Sequence, residues 1–291
     1  MIYKGDYSSK EFWEVLEDAD LVVNQKCLFG RRQTRAIFGL NKPVVFDFDD
    51  AIWTRPGRPY SYLTQLKVNR RFRFWCQRSD GVSVANQYLA DEAAKHSKSV
   101  QIIPMALDLD RWKPNVIPQE SSRFTFGWNG APNNLRLLES IDKPLNEVIG
   151  KNTQIVLSIF CGERPDLLTP FEHHPFEVER EIAFVQGLNT GLLPLDMDSY
   201  SQGKSPIKAL QYLACGVPVM GVIHCGGRGF LTDKTCIEVK DSCDWTRALH
   251  GVLVEPLRLL EMKSEAISLV ATHHSLKGVS DLAISFYRSF I

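Results

Sequence analysis

LLPLDMDSYSQGKSPIKALQYLACGVPVMGV, residues 192–222, has an apolar strand pattern at each end and a helical pattern between them. Ser205 followed by Pro206 is typical of a helix start, with the serine as N-cap and the proline at the first helical position. Ile207, Leu210 and the residues around 213 then repeat on one face, and a glycine at 216 is expected to end the helix. The stretch therefore predicts a strand, a loop, a helix and a returning strand, which form one α/β unit.

Polar residues follow one side of this predicted helix from its N-terminus. Lys204, Lys208 and Gln211 are spaced i, i+4 and i+7, a spacing that places side chains on one helix face. Helix N-terminal N–H groups carry partial positive charge and bind anions, and two ammonium groups strengthen that field. The pattern predicts an anion site suited to a diphosphate, and a solvated helix face is the alternative interpretation.

The same alternation of short apolar runs and helical patterns continues along the whole chain, which is typical of parallel sheets covered by helices. The fold class predicted is α/β with two Rossmann-like domains. Strands are expected at ADLVVN, PVVFDFD, DGVSVA, VQIIPM, FTFGWNG, QIVLSIFC, TGLLPL, VPVMGV and CIEVK. Helices are expected at residues 10–18, 60–78, 87–96, 134–149 and 177–186, among others.

A proline-rich and polar stretch, DLDRWKPNVIPQESSR, is the predicted boundary between the domains. Residues 1–115 would form an N-terminal, acceptor-side domain, residues 122–275 a C-terminal, nucleotide-sugar-binding domain, and residues 276–291 a final helix. The first domain shows only four strand patterns, whereas a full doubly wound unit has five or six. We therefore expect this domain to be short, and truncated relative to a complete unit.

Composition excludes several classes of protein. The sequence has 34 basic and 34 acidic residues, so no overall field recruits nucleic acid. Its seven cysteines contain no C-x-x-C pair, which argues against a disulfide framework or a zinc knuckle. The N-terminus has no apolar signal segment, and no apolar run is long enough to span a membrane. The expected location is the cytoplasm.

The stretch PVVFDFDDAIW, residues 43–53, places Asp47, Asp49 and Asp50 at the end of a predicted strand. It resembles the opening motif of the haloacid dehalogenase phosphatases, which implies Asp47 as nucleophile and Asp49 as acid/base. That family needs a small hydroxyl residue where this chain has Ala51. It also needs a later acidic pair for magnesium, for which VKDSCD, with acids at 241 and 244, is the only candidate.

The residues 203–219, GKSPIKALQYLACGVPV, resemble the nucleotide-sugar site of the GT-B glycosyltransferases, in particular glycosyltransferase family 4. Many members carry two glutamates eight positions apart, and those positions here are Gly203 and Gln211. VQIIPMALDLDRWKP resembles the end of the family's first domain, VVFDFDDAIW a strand of that domain, and FTFGWNGAPNN the opening of its second. The arginine and lysine that usually follow that opening are missing.

The resemblance implies transfer of a sugar from a nucleotide-diphosphate donor to an acceptor, with retention and without a required metal or other cofactor. In the second domain it implies that Lys204 and Lys208 stabilise the diphosphate and that Gln211 holds the ribose. Asp47 and Asp50 are candidates for acceptor contact and catalysis. The remaining donor-binding candidates are Asn129, Gly130, Gly203, Ser205 and Pro206.

The run KVNRRFRFWCQR, residues 67–78, interleaves five cations with aromatic residues. A partly solvated helix is one interpretation. The other is a surface that favours a saccharide or lipid-linked acceptor at the inner face of a membrane, since arginines pair with phosphate and aromatics settle at interfaces. No base-reading motif accompanies it, which argues against nucleic acid as a partner.

The sequence contains two pairs of adjacent histidines. His173 and His174 are expected in a loop, and His273 and His274 at the surface, because no cysteine or carboxylate stands at ligand spacing. The short first domain also fits a truncated protein that binds a nucleotide sugar without turnover.

Overall fold

The computed structural model describes Tyr7, residues 9–115 and residues 123–291. These residues separate into two compact units. The first comprises the described residues up to Pro104 together with Asp198–Ser205 and Ser280–Ile291, and the second comprises Met105–Met197 and Pro206–Val279. The linker predicted between residues 115 and 122 lies at residues 116–122, outside the described residues, so the predicted domain boundary stays a prediction.

The first unit is built around a four-stranded parallel sheet in the order β1-β2-β3-β4. Phe46, Phe48, Phe72 and Trp75 are buried in its core, and their rings contact one another across β2 and α3. Four strand patterns were expected here, and the sheet contains the same four. Its elements are α1 Lys10–Asp18, β1 Val22–Gln25, α2 Arg31–Gly39, β2 Val44–Phe48, α3 Tyr62–Arg78, β3 Gly81–Val84, α4 Gln87–Ala94 and β4 Val100–Ile102.

The second unit contains a six-stranded parallel sheet in the order β10-β9-β8-β5-β6-β7. Two apolar clusters pack against this sheet. Its strands are β5 Phe124–Asn129, β6 Ile155–Phe160, β7 Phe171–His174, β8 Thr190–Leu193, β9 Val219–Gly221 and β10 Cys236–Glu238. Its helices are α5 Leu135–Glu139, α6 Asp142–Ile149, α7 Glu181–Gln186, α8 Ile207–Ala214, α9 Ser242–Val254 and α10 Pro256–His273, and α11 Leu276–Arg288 crosses from this unit into the first.

The expected α/β class is confirmed, and each of the nine predicted strands is present. Two of the predicted element assignments were wrong. The helix expected over 134–149 is divided into α5 and α6, because Pro144 has no N–H and its ring would clash with the carbonyl of Ser140 in a continuous helix. The loop expected at His173 and His174 is the edge strand β7, whose polar composition hides its strand character.

The end of α8 agrees with the expectation at Gly216. This glycine has φ +71°, its N–H bonds to the Leu213 carbonyl, and the N–H of Val217 bonds to the Tyr212 carbonyl. These two bonds form a Schellman cap, which satisfies carbonyls that the helix end leaves unpaired. A left-handed residue is therefore built into the turn between α8 and β9.

His274 was expected at the surface and is instead buried beside Phe230 in the second unit. Its Nδ1 lies 2.8 Å from the Met105 carbonyl, which can only accept, so Nδ1 carries the proton. Burial lowers the pKa of His274 below its ordinary value, the Met105 bond opposes this, and neighbouring His273 adds to it. The folded state thus favours a neutral imidazole.

Replacing Gly216 by alanine should lower the free energy of unfolding by about 1–2 kcal/mol, the usual cost of a left-handed alanine. The added Cβ would also lie 3.0 Å from the Lys263 side chain. Urea unfolding measures the change. Gly251→Ala is the control, since this α9 position has open space around the added methyl group, and stability there should stay equal or rise. Equal stability of Gly216→Ala and wild type would contradict the role of the cap.

Stability should fall as the pH drops below 6.5, the ordinary pKa of histidine. The unfolded chain then binds a proton that folded His274 resists, so acid favours unfolding. Urea midpoints at pH 7.5 and pH 5.5 measure the effect, and His274→Gln should reduce the difference between them. His250→Gln, at an exposed position of α9, should leave that difference unchanged.

Candidate functional site

The sheet of the second unit has a topological switch point between β5 and β8. The chain runs from β5 outward to β6 and β7, and then returns to β8 on the other side of β5 before continuing to β9 and β10. In open parallel sheets, ligands bind beyond the carboxyl ends of the strands at such a point. The residues that follow β5 and β8 are therefore the first place to look for a site.

Asn129, the last residue of β5, is buried at this edge and is held by two hydrogen bonds. Its backbone N–H donates to the Tyr212 hydroxyl at 2.8 Å, and its Nδ2 donates to Glu181 Oε1 at 2.8 Å. Its Oδ1 is buried without a hydrogen-bond partner among the described residues. The side chain is thus fixed in place with one acceptor still available.

Lys208 in the first turn of α8 forms an ion pair with the same Glu181 carboxylate, at 2.5 Å. Glu181 is the first residue of α7, where a carboxylate also interacts favourably with the helix dipole. The side chains of Lys208 and Glu181 are 31% and 13% exposed, so the pair is largely screened from water. The predicted site residue Lys208 is therefore linked to the carboxyl end of β5 through Glu181, and its charge is already balanced by that carboxylate.

Gln211 lies three positions after Lys208 on α8 and is buried. Its Oε1 has no hydrogen-bond partner among the described residues. An unsatisfied buried acceptor costs about 1–3 kcal/mol, so such groups normally have water or a ligand as a partner. The Oε1 of Gln211 and the Oδ1 of Asn129 both call for a hydrogen-bond donor such as a hydroxyl group.

A second cation stands at the switch point. Arg136, in the short helix α5 that follows β5, donates from Nη1 to Asp196 Oδ1 at 2.9 Å and from Nη2 to Asp196 Oδ2. Asp196 follows β8, so this bidentate pair joins the segments that leave the two central strands. A cation that was not predicted as a site residue is therefore present six positions beyond Gly130.

Gly130, expected to approach a ligand, has a structural explanation of its own. A Cβ at this position would lie 2.3 Å from the Trp128 ring, and the N–H of Gly130 bonds to the Phe160 carbonyl at 3.2 Å. Packing of Trp128 alone therefore requires a residue without a side chain here. A ligand-binding role for Gly130 stays a prediction.

The segment Asp198–Ser205 belongs to the first unit and is fixed there by hydrogen bonds. Asn86 Nδ2 donates to the Gly203 carbonyl and to Ser205 Oγ, both at 2.9 Å. A Cβ on Gly203 would lie 2.8 Å from the Ala51 methyl group, so the two backbones approach closely. Gly203 thus occupies a position where only glycine fits without rearrangement.

The predicted start of α8 was wrong in detail. The N-cap is Pro206, the first helical residue is Ile207, and no side chain caps the helix; the Ser205 hydroxyl instead accepts from Asn86. Lys204 has an extended backbone and precedes the helix, so it does not share a helix face with Lys208 and Gln211. Its Nζ lies over the Tyr200 ring, 5.4 Å from the centroid.

Asp198 and Tyr200 in this segment have shifted pKa values. Burial would raise the pKa of Asp198, but hydrogen bonds from the N–H groups of Gly57 and Ser201, with the Lys204 charge, lower it overall. Burial, the charge of Asp50 and a hydrogen bond with it raise the pKa of Tyr200 to about 12. Near neutral pH the segment therefore carries an ionised Asp198 and a protonated Tyr200.

Asp47 near the end of β2, and Asp49 and Asp50 directly after it, are each held by a neighbour in the first unit. Lys26 forms ion pairs with both Asp49 and Asp50, the latter at 2.9 Å. Asp47 accepts from the Ser83 hydroxyl at 2.6 Å and from Gln25 Nε2 at 3.2 Å. One ammonium group thus balances two of the carboxylates, and the third is oriented by neutral donors.

The described residues do not provide the hydroxyl residue and the second acidic pair that a phosphatase of this type would need. Ala51, directly after the acids, is fully buried where Gly203 packs. Asp241 caps α9 by accepting from the N–H of Asp244, and Asp244 pairs with Arg247. Among residues 9–115 and 123–291, no cluster of three or more histidine, cysteine or acidic side chains is suited to a metal ion.

Two site residues were not anticipated from the sequence. Glu181 lies 27 positions before Lys208, and only the fold reveals that it balances this lysine and holds Asn129. Arg136 could have been found, since a cation in the helix directly after the opening strand lies beyond that strand's carboxyl end. Of the predicted site residues, Asn129 and Lys208 both contact Glu181, and Gln211 lies three positions after Lys208 on α8.

No protein-family model matches the sequence, and no curated protein matches it. Among solved structures, HepE from Anabaena in complex with UDP is 11% identical, with a TM-score of 0.73 over 96% of this chain and 81% of that one. Sucrose-phosphate synthase from Thermosynechococcus elongatus is 13% identical, with a TM-score of 0.70 over 97% and 76%.

A glycosyltransferase from Rickettsia africae is 8% identical, with a TM-score of 0.73 over 100% of this chain and 84% of that one. At these identities the likeness concerns the fold. The class of architecture is therefore the GT-B fold of glycosyltransferases, as the resemblance at residues 203–219 led us to expect.

Tyr212→Phe should lower the free energy of unfolding by about 1–3 kcal/mol, because the buried N–H of Asn129 loses its acceptor while the ring stays in place. Calorimetric unfolding measures the loss. Tyr62→Phe removes the same atom from an exposed tyrosine and should change stability by less than about 0.5 kcal/mol. Similar values for the two variants would show that the Tyr212 bond does not hold β5.

Proposed function

We propose that the protein is a glycosyltransferase of the family 4 type, which transfers a sugar from a nucleotide-diphosphate sugar to an acceptor with retention of configuration. The observation that carries this proposal is the set of groups at the switch point of the second unit. Two cations and two buried hydrogen-bond acceptors without partners among the described residues lie at the end of β5, on α5 and on α8. The fold, and the HepE structures in complex with UDP and with UDP-glucose, support it.

The nucleoside part of the nucleotide sugar would provide partners for the two buried hydrogen-bond acceptors. Ribose hydroxyls are donors, and the Oε1 of Gln211 has no partner among the described residues. An amide takes here the place that a glutamate has in many relatives, and it accepts from a hydroxyl without adding a charge near the diphosphate. Asn129 Oδ1 offers a second acceptor, fixed by the bonds of its N–H and Nδ2.

The diphosphate explains the cations. Arg136 and Lys208 are each balanced by a carboxylate, Asp196 and Glu181, and a phosphate oxygen can replace a carboxylate oxygen in the same geometry. Charge-assisted hydrogen bonds contribute about 1.5–3 kcal/mol each. The N-terminal N–H groups of α8 contribute a further amount, about 0.3–1 kcal/mol. We infer that these groups need no metal ion to bind the anion.

Catalysis follows from the same charges. When the sugar leaves, negative charge develops on the diphosphate, and fixed cations that are already oriented stabilise it without reorganisation. Lys208 is suited to this role because Glu181 holds its ammonium group in place before the donor arrives. Lys204 is the second lysine predicted for the role, with Gly203, Ser205 and Pro206 as neighbouring donor contacts, and all four assignments remain predictions.

The acceptor would meet the acids of the first unit. Asp47 is oriented by Ser83 and Asp50 by Lys26, so either carboxylate can accept a hydrogen bond from an acceptor hydroxyl in a fixed direction. We propose these two for acceptor contact and catalysis. Asp47→Asn and Asp50→Asn should lower turnover while donor binding stays unchanged.

Two alternatives lead to different outcomes. A phosphatase using Asp47 and Asp49 would release phosphate in a magnesium-dependent reaction, and no observation favours it. A protein that binds a nucleotide sugar without turnover would use the same groups of the second unit. It would bind the donor, but it would transfer no sugar to any acceptor.

Calorimetric titration with UDP and GDP tests the donor site. Arg136→Gln should weaken binding about tenfold or more, the loss of one charge-assisted bond. Lys208→Gln is combined with Glu181→Gln, so that no carboxylate is left unpaired and the amide still accepts from Asn129. This double variant should weaken binding by a similar factor, and Lys204→Ala tests the remaining lysine separately.

Arg123→Gln is the matched control, because Arg123 forms an exposed pair with Glu172 on β7, an edge strand of the same unit. This variant should bind as wild type does. If Arg136→Gln and the Lys208/Glu181 double variant also bind as wild type does, or if neither nucleotide binds to the wild-type protein, the proposed donor site is wrong.

A further inference from the structure

The helices α2 and α3 of the first unit line a groove of about 1180 Å³ that none of the proposed donor or acceptor residues enters. Its lining is dominated by cations, with Phe38, Phe74 and Trp75 between them. The cations are Arg31, Arg35, Lys67, Arg70, Arg71 and Arg78.

Charge on these two helices is one-sided. Together, α2 and α3 carry eight lysines and arginines and no aspartate or glutamate. Within residues 9–115 and 123–291, no ion pair joins any of the eight to an acidic side chain. Arg71 donates to the Leu28 carbonyl and Arg78 lies over the Phe38 ring, which fixes two of them. The surface thus holds a concentration of positive charge that folding itself does not balance.

Large apolar side chains share the solvent-facing side of α3 with these cations. Tyr62 is 76% exposed, Leu63 77%, Leu66 49% and Phe74 42%. At 100° per residue, these four side chains and those of Lys67, Arg70 and Arg73 fall within about 140° of the helix circumference. Exposed leucines among arginines gain nothing in water, and they gain free energy where an apolar phase meets anionic groups.

We propose that this α2–α3 surface docks the protein on a membrane that contains anionic phospholipids. Headgroup phosphates would enter the groove and pair with its arginines, which match phosphate geometry. Leu63, Leu66 and Phe74 would insert at the boundary of the acyl chains, and Tyr62 would lie at headgroup level. A soluble polyanion would pair with the same cations and would leave the two leucines in water, which is why the lipid surface fits better.

The proposal does not rest on glycosyl transfer, because its residues lie apart in sequence from those assigned to the donor and acceptor. Among the described residues, no helix is long and apolar enough to cross a bilayer. The contact proposed is a surface contact through α2 and α3. Nucleotide binding and membrane binding can fail independently, so the two proposals are tested separately.

Co-sedimentation of the full chain with lipid vesicles tests the proposal. The probes are vesicles of phosphatidylcholine alone and vesicles in which roughly a third of the lipid is phosphatidylglycerol. We expect binding to the anionic vesicles, at least tenfold weaker binding to the neutral ones, and loss of most binding at about 0.5 M salt, where charges are screened.

Two variants separate charge from apolar contact. Lys67→Gln with Arg70→Gln should weaken binding to anionic vesicles about 20- to 30-fold, since each cation near the surface contributes about fivefold. Leu63→Ser with Leu66→Ser should also weaken it, although all charges remain. Circular dichroism and unchanged urea unfolding confirm that both variants fold.

Matched controls are available elsewhere on the chain. Lys98→Gln with Lys151→Gln removes two exposed cations from turns elsewhere on the chain. Leu257→Ser with Leu260→Ser removes two exposed leucines from α10. Both controls should bind vesicles as wild type does. Equal binding to neutral and anionic vesicles, equal losses in variants and controls, or binding of an RNA oligonucleotide without any vesicle binding would each overturn the proposal.

Discussion

The hydrogen bond from the Asn129 N–H to the buried Tyr212 hydroxyl is the contact on which the candidate site of the second unit depends. It ties α8 to the carboxyl end of β5, and it is possible only because Gly191 in β8 has no side chain. A Cβ there would lie 2.4 Å from the tyrosine ring. Tyr212 lies on α8 four positions after Lys208, so this bond holds that part of the helix to the end of β5. Burial also raises the pKa of Tyr212, so the hydroxyl stays protonated near neutral pH and keeps its role.

That tie explains why the polar groups around it can stay incompletely satisfied. Asn129 is held by its pairing with β6 and by hydrogen bonds with Tyr212 and Glu181. Its Oδ1, which has no partner among the described residues, therefore points in one fixed direction. Glu181 in turn orients Lys208. Sites of this kind exchange some stability for preorganisation, since each unpaired acceptor is costly until a ligand arrives.

Much of the fold could be predicted because its signals are local. The buried strands of a parallel sheet are short apolar runs, and Gly216 stops α8 where its left-handed backbone is needed. Predictions failed where a distant residue decides the local structure. Ser205 is a good N-cap by sequence, yet its hydroxyl accepts from Asn86, 119 positions earlier, and the helix begins one residue later than predicted. β7 was missed because an edge strand needs no apolar alternation.

The candidate site could be predicted only where its residues are linked by local sequence patterns. Lys208 and Gln211 were found because helical spacing links them, and Asn129 because it ends a strand. Glu181 could not be found, since its relation to them exists only after β5, α7 and α8 come together. The three acids at the end of β2 and directly after it show the converse case. Their sequence motif suggests a phosphatase. The residue after them, however, is an alanine that packs against Gly203, and Lys26 balances two of the carboxylates.

The chain passes from one compact unit to the other after Pro104, Met197, Ser205 and Val279, so neither unit is a continuous piece of sequence. This has a consequence for how such proteins can be recombined. A gene fusion that exchanges everything after the predicted boundary at residues 116–122 would replace Asp198–Ser205 with a foreign segment. The contacts of Ala51 and Asn86 with Gly203 would then be lost. Modular exchange of the second unit therefore requires that this short segment stay with the first, and successful chimeras should be those whose junctions respect all four crossings.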